Sequence, residues 1–176
     1  MIVIRSGTPA DFHAILRIVN EAALVYRGVI PADCWHEPYM PEVELANDIH
    51  SGGIVFWIAE QNGRLQGVIG IQDKGDVALV RHAYVATDAQ RNGVGTHLLH
   101  HVESLADKPI LIGTWADATW AIRFYQRNGY TIVEDQVKDQ LLRTYWAIPS
   151  RQIETSVVLA DARWMGLAAV GSGSKR

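Results

Sequence analysis

The sequence contains a single cysteine, Cys34, among its 176 residues. One thiol cannot form an internal disulfide bond, and no second cysteine exists to build a cysteine-rich zinc site. We therefore expect the protein to work in a reducing compartment. For Cys34 itself, an ordinary buried position is favoured over a role as a nucleophile.

Long hydrophobic runs and signal-like segments are also missing. The longest fully apolar run, Ile54–Ala59, is far shorter than the roughly 20 residues that a membrane-spanning helix needs. The first residues, Met1–Arg5, lack the basic and apolar segments of a secretory signal. We therefore expect a cytoplasmic protein that does not bind a membrane.

The chain has no run of basic residues. Its 16 Lys and Arg residues stand against 19 Asp and Glu residues, which gives a formal net charge of -3. Because nucleic-acid binding depends on a broad positive surface, we expect no nucleic-acid partner. The length fits one domain, which we assign to residues 1–162, followed by a partly disordered C-terminal tail at 163–176.

Segments rich in β-branched residues are interspersed with segments of helical periodicity, which predicts an α/β (α+β) fold. The predicted strands cover residues 2–5, 54–60, 66–73, 77–85, 109–115, 130–134 and 155–159. The predicted helices cover residues 9–24, 42–50, a segment that follows Gly95, and 119–128, whereas 141–148 stays unassigned. Asn62-Gly63 supplies the positive φ angles of a tight hairpin between the second and third strands.

The most informative segment is the glycine turn after the fourth predicted strand, which reads Gln90-Arg91-Asn92-Gly93-Val94-Gly95-Thr96. Glycines at the start of a helix let backbone N–H groups approach an anion, and the helix dipole favours phosphate there. The Gly-Lys-Ser/Thr end of a P-loop is absent, and so is the third glycine of a dinucleotide-binding turn. The turn could also serve only to join strand and helix.

This Gln-x-x-Gly-x-Gly turn resembles that of the GNAT N-acetyltransferase superfamily. A second block, Ala121–Tyr130, is similar to the family's later helix, which ends in an aromatic-Tyr-x-x-x-Gly-aromatic segment. The resemblance covers roughly residues 2–160 and implies a twisted, mixed and mostly antiparallel sheet, splayed at the mid-chain strand beside Val85 and flanked by helices on both faces.

The resemblance implies acetyl-CoA as cosubstrate and no metal. The residues that it assigns to acetyl-CoA are Tyr84, Val85, Gln90, Arg91, Asn92, Gly93, Val94, Gly95, Thr96, Thr119 and Tyr125. Relatives often carry an asparagine where this chain has Ala118, so Thr119 or Asp117 is expected to replace its contact with the cofactor. His97 and His101 have the spacing of metal ligands, but the glutamate of a His-Glu-x-x-His motif is missing.

Catalysis by direct acyl transfer needs a base for the acceptor amine and a proton donor for the leaving thiolate. Tyr125 matches the family tyrosine that supplies this proton. Many relatives place a glutamate in the strand before the turn, but residues 77–85 contain no carboxylate. His82 is the only side chain of that strand with a suitable pKa, and deprotonation through water is the alternative.

The aromatic residues Tyr26, Trp35 and Tyr39 lie where the family builds its acceptor pocket, and His82 joins them as a candidate substrate contact; they could also only cover the core. We therefore predict an N-acetyltransferase that acts on a primary amine of a small, amino-acid-like or drug-like molecule. The alternatives are a GNAT enzyme for a protein or peptide amine, a donor other than acetyl-CoA, and a non-catalytic acyl-CoA sensor. Similar relatives often dimerise, so a homodimer is expected.

Overall fold

The computed structural model describes residues 1–173, which form seven strands and seven α-helices. The strands are β1 (Val3–Ser6), β2 (Ile54–Gln61), β3 (Arg64–Asp73), β4 (Ala78–Val85), β5 (Ile110–Trp115), β6 (Thr131–Ile132) and β7 (Ser156–Ala160). The helices are α1 (Phe12–Ala23), α2 (Glu42–His50), α3 (Val94–Leu105), α4 (Thr119–Arg127), α5 (Asp135–Tyr145), α6 (Ser150–Glu154) and α7 (Ala162–Gly173). The sheet has the order β1-β2-β3-β4-β5-β7-β6 and is mostly antiparallel, which confirms the predicted mixed α/β fold class.

The start of α1 follows from the local sequence. Pro9–Asp11 forms a 3₁₀ turn, with Thr8 in an extended conformation before it. The Asp11 carboxylate accepts hydrogen bonds from the Thr8 N–H at 2.8 Å and from the Thr8 hydroxyl at 2.7 Å. It also accepts two bonds from the Arg5 guanidinium, each at 2.8 Å. This buried carboxylate therefore ties β1 to the beginning of the first helix.

The hairpin of β2 and β3 forms as the Asn-Gly pair predicts. Asn62 and Gly63 have φ angles of 52° and 73°, as a type I′ turn requires. The register pairs Ile54 with Gln72 and Gln61 with Arg64, and it shifts between Ala59 and Glu60. This pair of strands forms the middle of the first of two compact units.

The chain divides into these two units by its internal contacts. The first contains Met1–Arg27, Trp35–Asp73 and Val80–Leu105, and the second contains Gly28–Cys34, Lys74–Leu79 and the chain from Ala106 onward. Strand β4 therefore begins in the second unit and ends in the first. No helix in the described part of the chain is both long and apolar enough to cross a lipid bilayer.

The first unit has helices on both faces of its strands. On one face, α1 and α2 pack against β2 and β3 through a buried cluster of Ile15, Ile18, Val19, Met40, Leu45, Ile54, Phe56, Ile58 and Val68. Side chains of neighbouring strand residues point to opposite faces. Accordingly, Trp57 contacts His101 of α3, with ring centroids 4.3 Å apart, while Phe56 belongs to the α1 and α2 side.

In the second unit, β5 pairs antiparallel with β7, and the core forms against α5, α6 and α7. The sequence left residues 141–148 unassigned, whereas α5 covers most of them. Its Leu141 and Leu142 are buried, and Trp146 after it packs over Gly113. The sequence analysis did not predict α6, and β6 has two residues where a strand over 130–134 was predicted.

Helix α7 occupies most of the segment that the sequence assigned to a partly disordered tail. Its start is capped by Asp161, whose carboxylate accepts the Trp164 N–H at 3.0 Å. Trp164 and Met165 pack against the core of the second unit, and this burial explains why the segment is helical. The rest of the predicted tail, residues 174–176, lies outside the described residues.

Candidate functional site

The glycine turn joins the end of β4 to the start of α3. A 3₁₀ turn at Thr87–Ala89 follows β4, residues 90–93 form an exposed turn, and α3 begins at Val94. Arg91 and Gly93 have φ angles of 64° and 78°, in the left-handed region. Left-handed residues in such a turn direct successive backbone N–H groups into a concave surface that binds anions.

This turn has the donors that a pyrophosphate needs. The N–H groups of the first turn of a helix have no acceptor within the helix, and for α3 these belong to Val94, Gly95 and Thr96. The positive end of the helix dipole lies at the same place. The Arg91 and Asn92 side chains are exposed beside it, and the Gln90 amide nitrogen lies 3.5 Å from the Val85 carbonyl oxygen. The residues present therefore fit the pyrophosphate of coenzyme A.

The start of α3 is fixed in place by close packing on β3. Val94 is 2% exposed, so it contributes its N–H to the turn while its side chain belongs to the core. A Cβ atom on Gly67 would lie 3.0 Å from Val94 Cγ1 and 3.1 Å from Leu98 Cδ1. Only glycine at this strand position lets the helix approach so closely. Gly67 was not singled out from the sequence, although a glycine inside a strand often marks such an approach.

His82 of β4 is paired with a carboxylate of α2. Its Nε2 lies 2.7 Å from Asp48 Oδ2, and the two side chains are 11% and 19% exposed. The imidazole ring stacks on Phe56, with ring centroids 5.9 Å apart and an interplanar angle of 15°. His82 also has a φ of 52°, which is unusual inside a strand. Asp48 was not predicted, because an acidic residue on a helix is ordinarily solvated.

A second polar pair adjoins this histidine. Arg81 donates a hydrogen bond from Nη1 to Gln72 Oε1 at 3.1 Å, and Gln72 donates from Nε2 to the Gly52 carbonyl at 2.6 Å. Burial lowers the pKa of Arg81, and the negative charges of Asp48 and Glu44 oppose this effect. The face of β4 that meets α2 is therefore polar and rich in charge.

The predicted acceptor-pocket aromatics lie together in the first unit. The Tyr26 ring meets the Tyr84 ring edge-on at 6.5 Å and the Tyr39 ring at 5.5 Å. Trp35 stacks on Tyr39 at 5.7 Å, and the Arg27 guanidinium lies over Trp35. The Arg27 guanidinium and the Trp35 indole both donate hydrogen bonds to the Glu37 carboxylate. Tyr26 is buried, whereas Trp35 and Tyr39 are half-buried and therefore accessible to a ligand.

The remaining predicted residues, Thr119 and Tyr125, belong to the second unit. Thr119 is the exposed first residue of α4, and Ala118 before it is fully buried. Tyr125 is 7% exposed, and its ring contacts those of Phe124 and Tyr130. Burial raises the pKa of Tyr125 above its usual value, so its phenol keeps its proton at neutral pH.

The two histidines with metal-like spacing have separate surroundings. His97 Nδ1 lies 2.8 Å from the Gly93 carbonyl oxygen, and His101 packs against Trp57. Among residues 1–173, no group of three or more His, Cys, Asp or Glu side chains is arranged to hold a metal ion.

Comparison with known proteins identifies the family of this chain. Residues 20–145 match the family described as "Acetyltransferase (GNAT) domain". The chain is 24% identical to the peptidyl-lysine N-acetyltransferase YiaC of Escherichia coli over 153 residues, which cover 87% of this chain and 99% of YiaC.

Solved structures show the same fold. PaiA N-acetyltransferase from Thermoplasma acidophilum, solved in complex with coenzyme A, has a TM-score of 0.69 and 18% identity over 92% of this chain and 98% of that one. The ribosomal-protein-S18-alanine N-acetyltransferase of E. coli has a TM-score of 0.60 and 20% identity over 92% and 93% of the two chains.

The fold, the glycine turn and the family match together define an acetyltransferase. The chain belongs to the GNAT acetyltransferase family. It is an N-acetyltransferase that takes its acetyl group from acetyl-CoA, as the sequence analysis predicted.

Proposed function

We propose that this enzyme acetylates the primary amine of a small, amino-acid-like or drug-like molecule by direct attack on acetyl-CoA, with His82 as the base. The observation that carries the proposal is the sequence of groups along one strand. His82 is hydrogen-bonded to Asp48. Tyr84, two residues later, contacts the Tyr26 ring of the predicted acceptor pocket, and the strand then leads into the glycine turn.

Acetyl-CoA binding is assigned to the end of β4 and the start of α3. The backbone of Tyr84 and Val85 bonds the pantetheine arm, and the N–H groups from Arg91 to Thr96 hold the pyrophosphate. The Arg91 side chain adds positive charge beside that turn. Thr119 is proposed to make the cofactor contact that an asparagine makes in relatives. Ala118, which stands at the position of that asparagine, has no polar side-chain group.

The acceptor amine must lose a proton before it can attack. An aliphatic amine of the lysine type has a pKa of about 10.4 and is mostly protonated at pH 7. The imidazole of His82 takes this proton, and the amine nitrogen forms a bond to the acetyl carbon. The nitrogen of the tetrahedral intermediate then loses its second proton, the C–S bond of the thioester breaks, and this proton restores the phenol of Tyr125 after it has protonated the thiolate.

Tyr125 is proposed to donate the proton that the departing thiolate needs. Its raised pKa keeps the phenol protonated, so that it is available as a donor throughout the neutral range. This role comes from the resemblance of residues 121–130 to the family's later helix.

The acceptor is proposed to bind against the aromatic set Tyr26, Trp35 and Tyr39. Faces of aromatic rings attract cations, and Arg27 over Trp35 is an example within this chain. A protonated amine is therefore drawn to this surface before it reaches the base. Replacing Trp35 by alanine should raise KM for the acceptor while KM for acetyl-CoA stays unchanged.

A second candidate acceptor is a lysine side chain of a peptide or protein. The observation in its favour is the 24% identity to YiaC, which is named for peptidyl-lysine acetylation, over 99% of that protein. A peptide lysine has the same aliphatic amine and needs the same base.

A homodimer and a cytoplasmic location stay predictions from the sequence.

The test is release of the CoA thiol, measured with the purified full-length enzyme and corrected for hydrolysis without acceptor. The panel contains amino acids, amino-acid-like herbicides, methionine derivatives, polyamines, lysine peptides and peptides with a free N-terminus. Turnover of free small amines supports the proposal, and turnover restricted to lysine peptides replaces it with the second candidate. CoA binding without turnover of any amine would indicate an acyl-CoA sensor, and profiling of acyl chains tests the donor.

A further inference from the structure

We infer that Asp48 of α2 is a positioning residue for catalysis: its carboxylate fixes the tautomer and orientation of His82 and stabilises the imidazolium that forms during acetyl transfer. This inference rests on the proposed role of His82 as base. It assigns a part in the reaction to a helix residue 34 positions away in the sequence.

The hydrogen bond defines the tautomer. A carboxylate can only accept, so the contact of 2.7 Å between His82 Nε2 and Asp48 Oδ2 places a hydrogen on Nε2. In the neutral ring the other nitrogen, Nδ1, then carries the lone pair. Nδ1 makes no hydrogen bond to the side chains that the structure describes, so it is the nitrogen that can accept a proton from the amine.

The orientation of the ring is fixed from two further sides. Phe56 lies beside the imidazole in a nearly parallel stack, with ring centroids 5.9 Å apart. The His82 backbone, with its φ of 52°, departs from the regular strand conformation of its neighbours. The ring is thus held by its own backbone, by an apolar face and by a carboxylate. A base held in this way loses little conformational entropy when the substrate binds.

The charges around the pair are compatible with a carboxylate that acts on His82. Arg81 precedes His82 in β4, and its charge interacts with Asp48, Glu44 and Tyr84. Its one hydrogen bond among the described side chains goes to the uncharged Gln72 amide. Asp48 thus interacts with one half-buried cation and one imidazole, and its direct hydrogen bond is to the imidazole.

Two protons leave the amine nitrogen during turnover: His82 takes the first, and the second restores the phenol of Tyr125 after it has protonated the thiolate. The first proton moves to His82 Nδ1, and the ring becomes an imidazolium with hydrogens on both nitrogens. Its Nε2–H stays hydrogen-bonded to Asp48, whose negative charge compensates the new positive charge. Asp48 itself takes up no proton. After turnover the imidazolium releases the proton to solvent.

The test is a double-mutant cycle of Asp48→Asn and His82→Gln in the full-length enzyme, with kcat and KM measured from pH 6 to 10. Asp48→Asn should lower kcat by on the order of 10-fold or more, because the amide can hold the wrong tautomer. KM for acetyl-CoA should stay unchanged. In the His82→Gln background, Asp48→Asn should cause no further loss, since Asp48 acts only through His82.

Glu44→Gln is the matched control, because Glu44 lies one turn earlier on α2 and interacts with Arg81 without a bond to His82. It should leave kcat and the pH profile as they are. In the wild type, kcat should rise with pH through one ionisation. Asp48→Asn should shift the pH at which kcat rises, whereas Glu44→Gln should not. Because Glu44 and Asp48 both interact with Arg81 of this strand, thermal melting and CoA affinity of each variant are measured alongside.

The outcomes separate the two levels of the proposal. If His82→Gln keeps full kcat, His82 is not the base and the proposed mechanism fails. If His82→Gln loses activity while folded Asp48→Asn keeps kcat and an unchanged pH profile, the positioning role of Asp48 is overturned alone. Equal losses in both backgrounds would show that Asp48 acts independently of His82 and would also overturn it. Should Asp48→Asn fail to fold, Asp48→Glu replaces it, with partial retention of kcat expected.

Discussion

Gly67 of β3 and Val94 at the start of α3 approach so closely that a Cβ atom on the glycine would lie 3.0 Å from Val94 Cγ1. The same atom would lie 3.0 Å from the Tyr84 carbonyl oxygen of β4. The positions of β4 and α3 in the proposed cofactor site therefore depend on the absence of a side chain at Gly67 of β3. Because one of these neighbours is backbone, the contact cannot be relieved by a change of rotamer.

Gly67→Ala should accordingly destabilise the protein by about 1–3 kcal/mol, as overpacked cores do. It should also weaken CoA binding, because the start of α3 has to move. Chemical unfolding and calorimetry with CoA measure the two effects. Gly166→Ala is the matched control: apart from the backbone of its own helix α7 and its chain neighbours, nothing lies within 4 Å of the added Cβ, and it should stabilise by about 0.5–1 kcal/mol. Unchanged CoA affinity in Gly67→Ala would contradict the proposed dependence.

Gly93→Asp tests the pyrophosphate turn directly. The residue has a φ of 78°, which strains any side chain, and the new carboxylate would repel the phosphates. CoA affinity should fall by about tenfold or more, which corresponds to about 1.4 kcal/mol. Gly63→Asp in the β2–β3 turn has a similar φ of 73° and serves as control for backbone strain. Equal CoA affinities of the two variants would refute the assignment of the turn.

Tyr125→Phe removes the proposed proton donor. It should lower kcat by on the order of 10²-fold while CoA affinity changes little. Because burial raises the pKa of Tyr125, its ionisation should not produce an alkaline loss of activity at or below pH 10 in the wild type. Tyr130→Phe, a second buried phenol in ring contact with Tyr125, is the control and should keep kcat. Wild-type turnover in Tyr125→Phe would remove Tyr125 from the mechanism.

Asp11→Asn tests the carboxylate that links β1 to α1. Hydrogen bonds from Arg5 and Thr8 hold the pKa of Asp11 well below its usual range, so the folded state favours the charged form. The resulting stability is complete above the unfolded-chain pKa of about 3.9 and is lost as the pH falls below it. At pH 7 the variant should lose about 1–2 kcal/mol in urea unfolding.

The difference between Asp11→Asn and wild type should shrink as the pH is lowered from 4 toward 2. Asp88→Asn, which breaks the exposed pair with Arg64, is the control and should cost at most about 0.5 kcal/mol. A penalty for Asp11→Asn that does not depend on pH would mean that the lost contact is not electrostatic.

Local sequence signals predicted much of the first unit. The β2–β3 turn followed from Asn62-Gly63, and α2 was predicted with the bounds that it has, because each signal acts within a few residues. Helices α5 and α7 were missed because their stability comes from burial of Leu141, Leu142 and Trp164, which depends on distant chain segments. Propensity over a short window cannot show such burial.

The candidate site likewise has a part that the sequence predicted and a part that it did not. The glycine turn is a local motif, and the sequence alone identified it. The partner of His82 could not be identified, because Asp48 belongs to a helix whose position on the sheet is set by packing of residues such as Leu45 and Phe56. For Gly67, the sequence carried a signal, a glycine within a strand, but nothing in it showed that α3 is the neighbour.

The left-handed backbone of His82 limits the residues that this position can carry. At a φ of 52°, β-branched side chains are strongly disfavoured, whereas glycine, asparagine, aspartate and histidine are tolerated. Valine and isoleucine, which suit other strand positions, are therefore disfavoured at position 82. Of the tolerated residues, only aspartate and histidine can accept a proton as a base, so the main-chain conformation restricts which residues can serve as a base at this position.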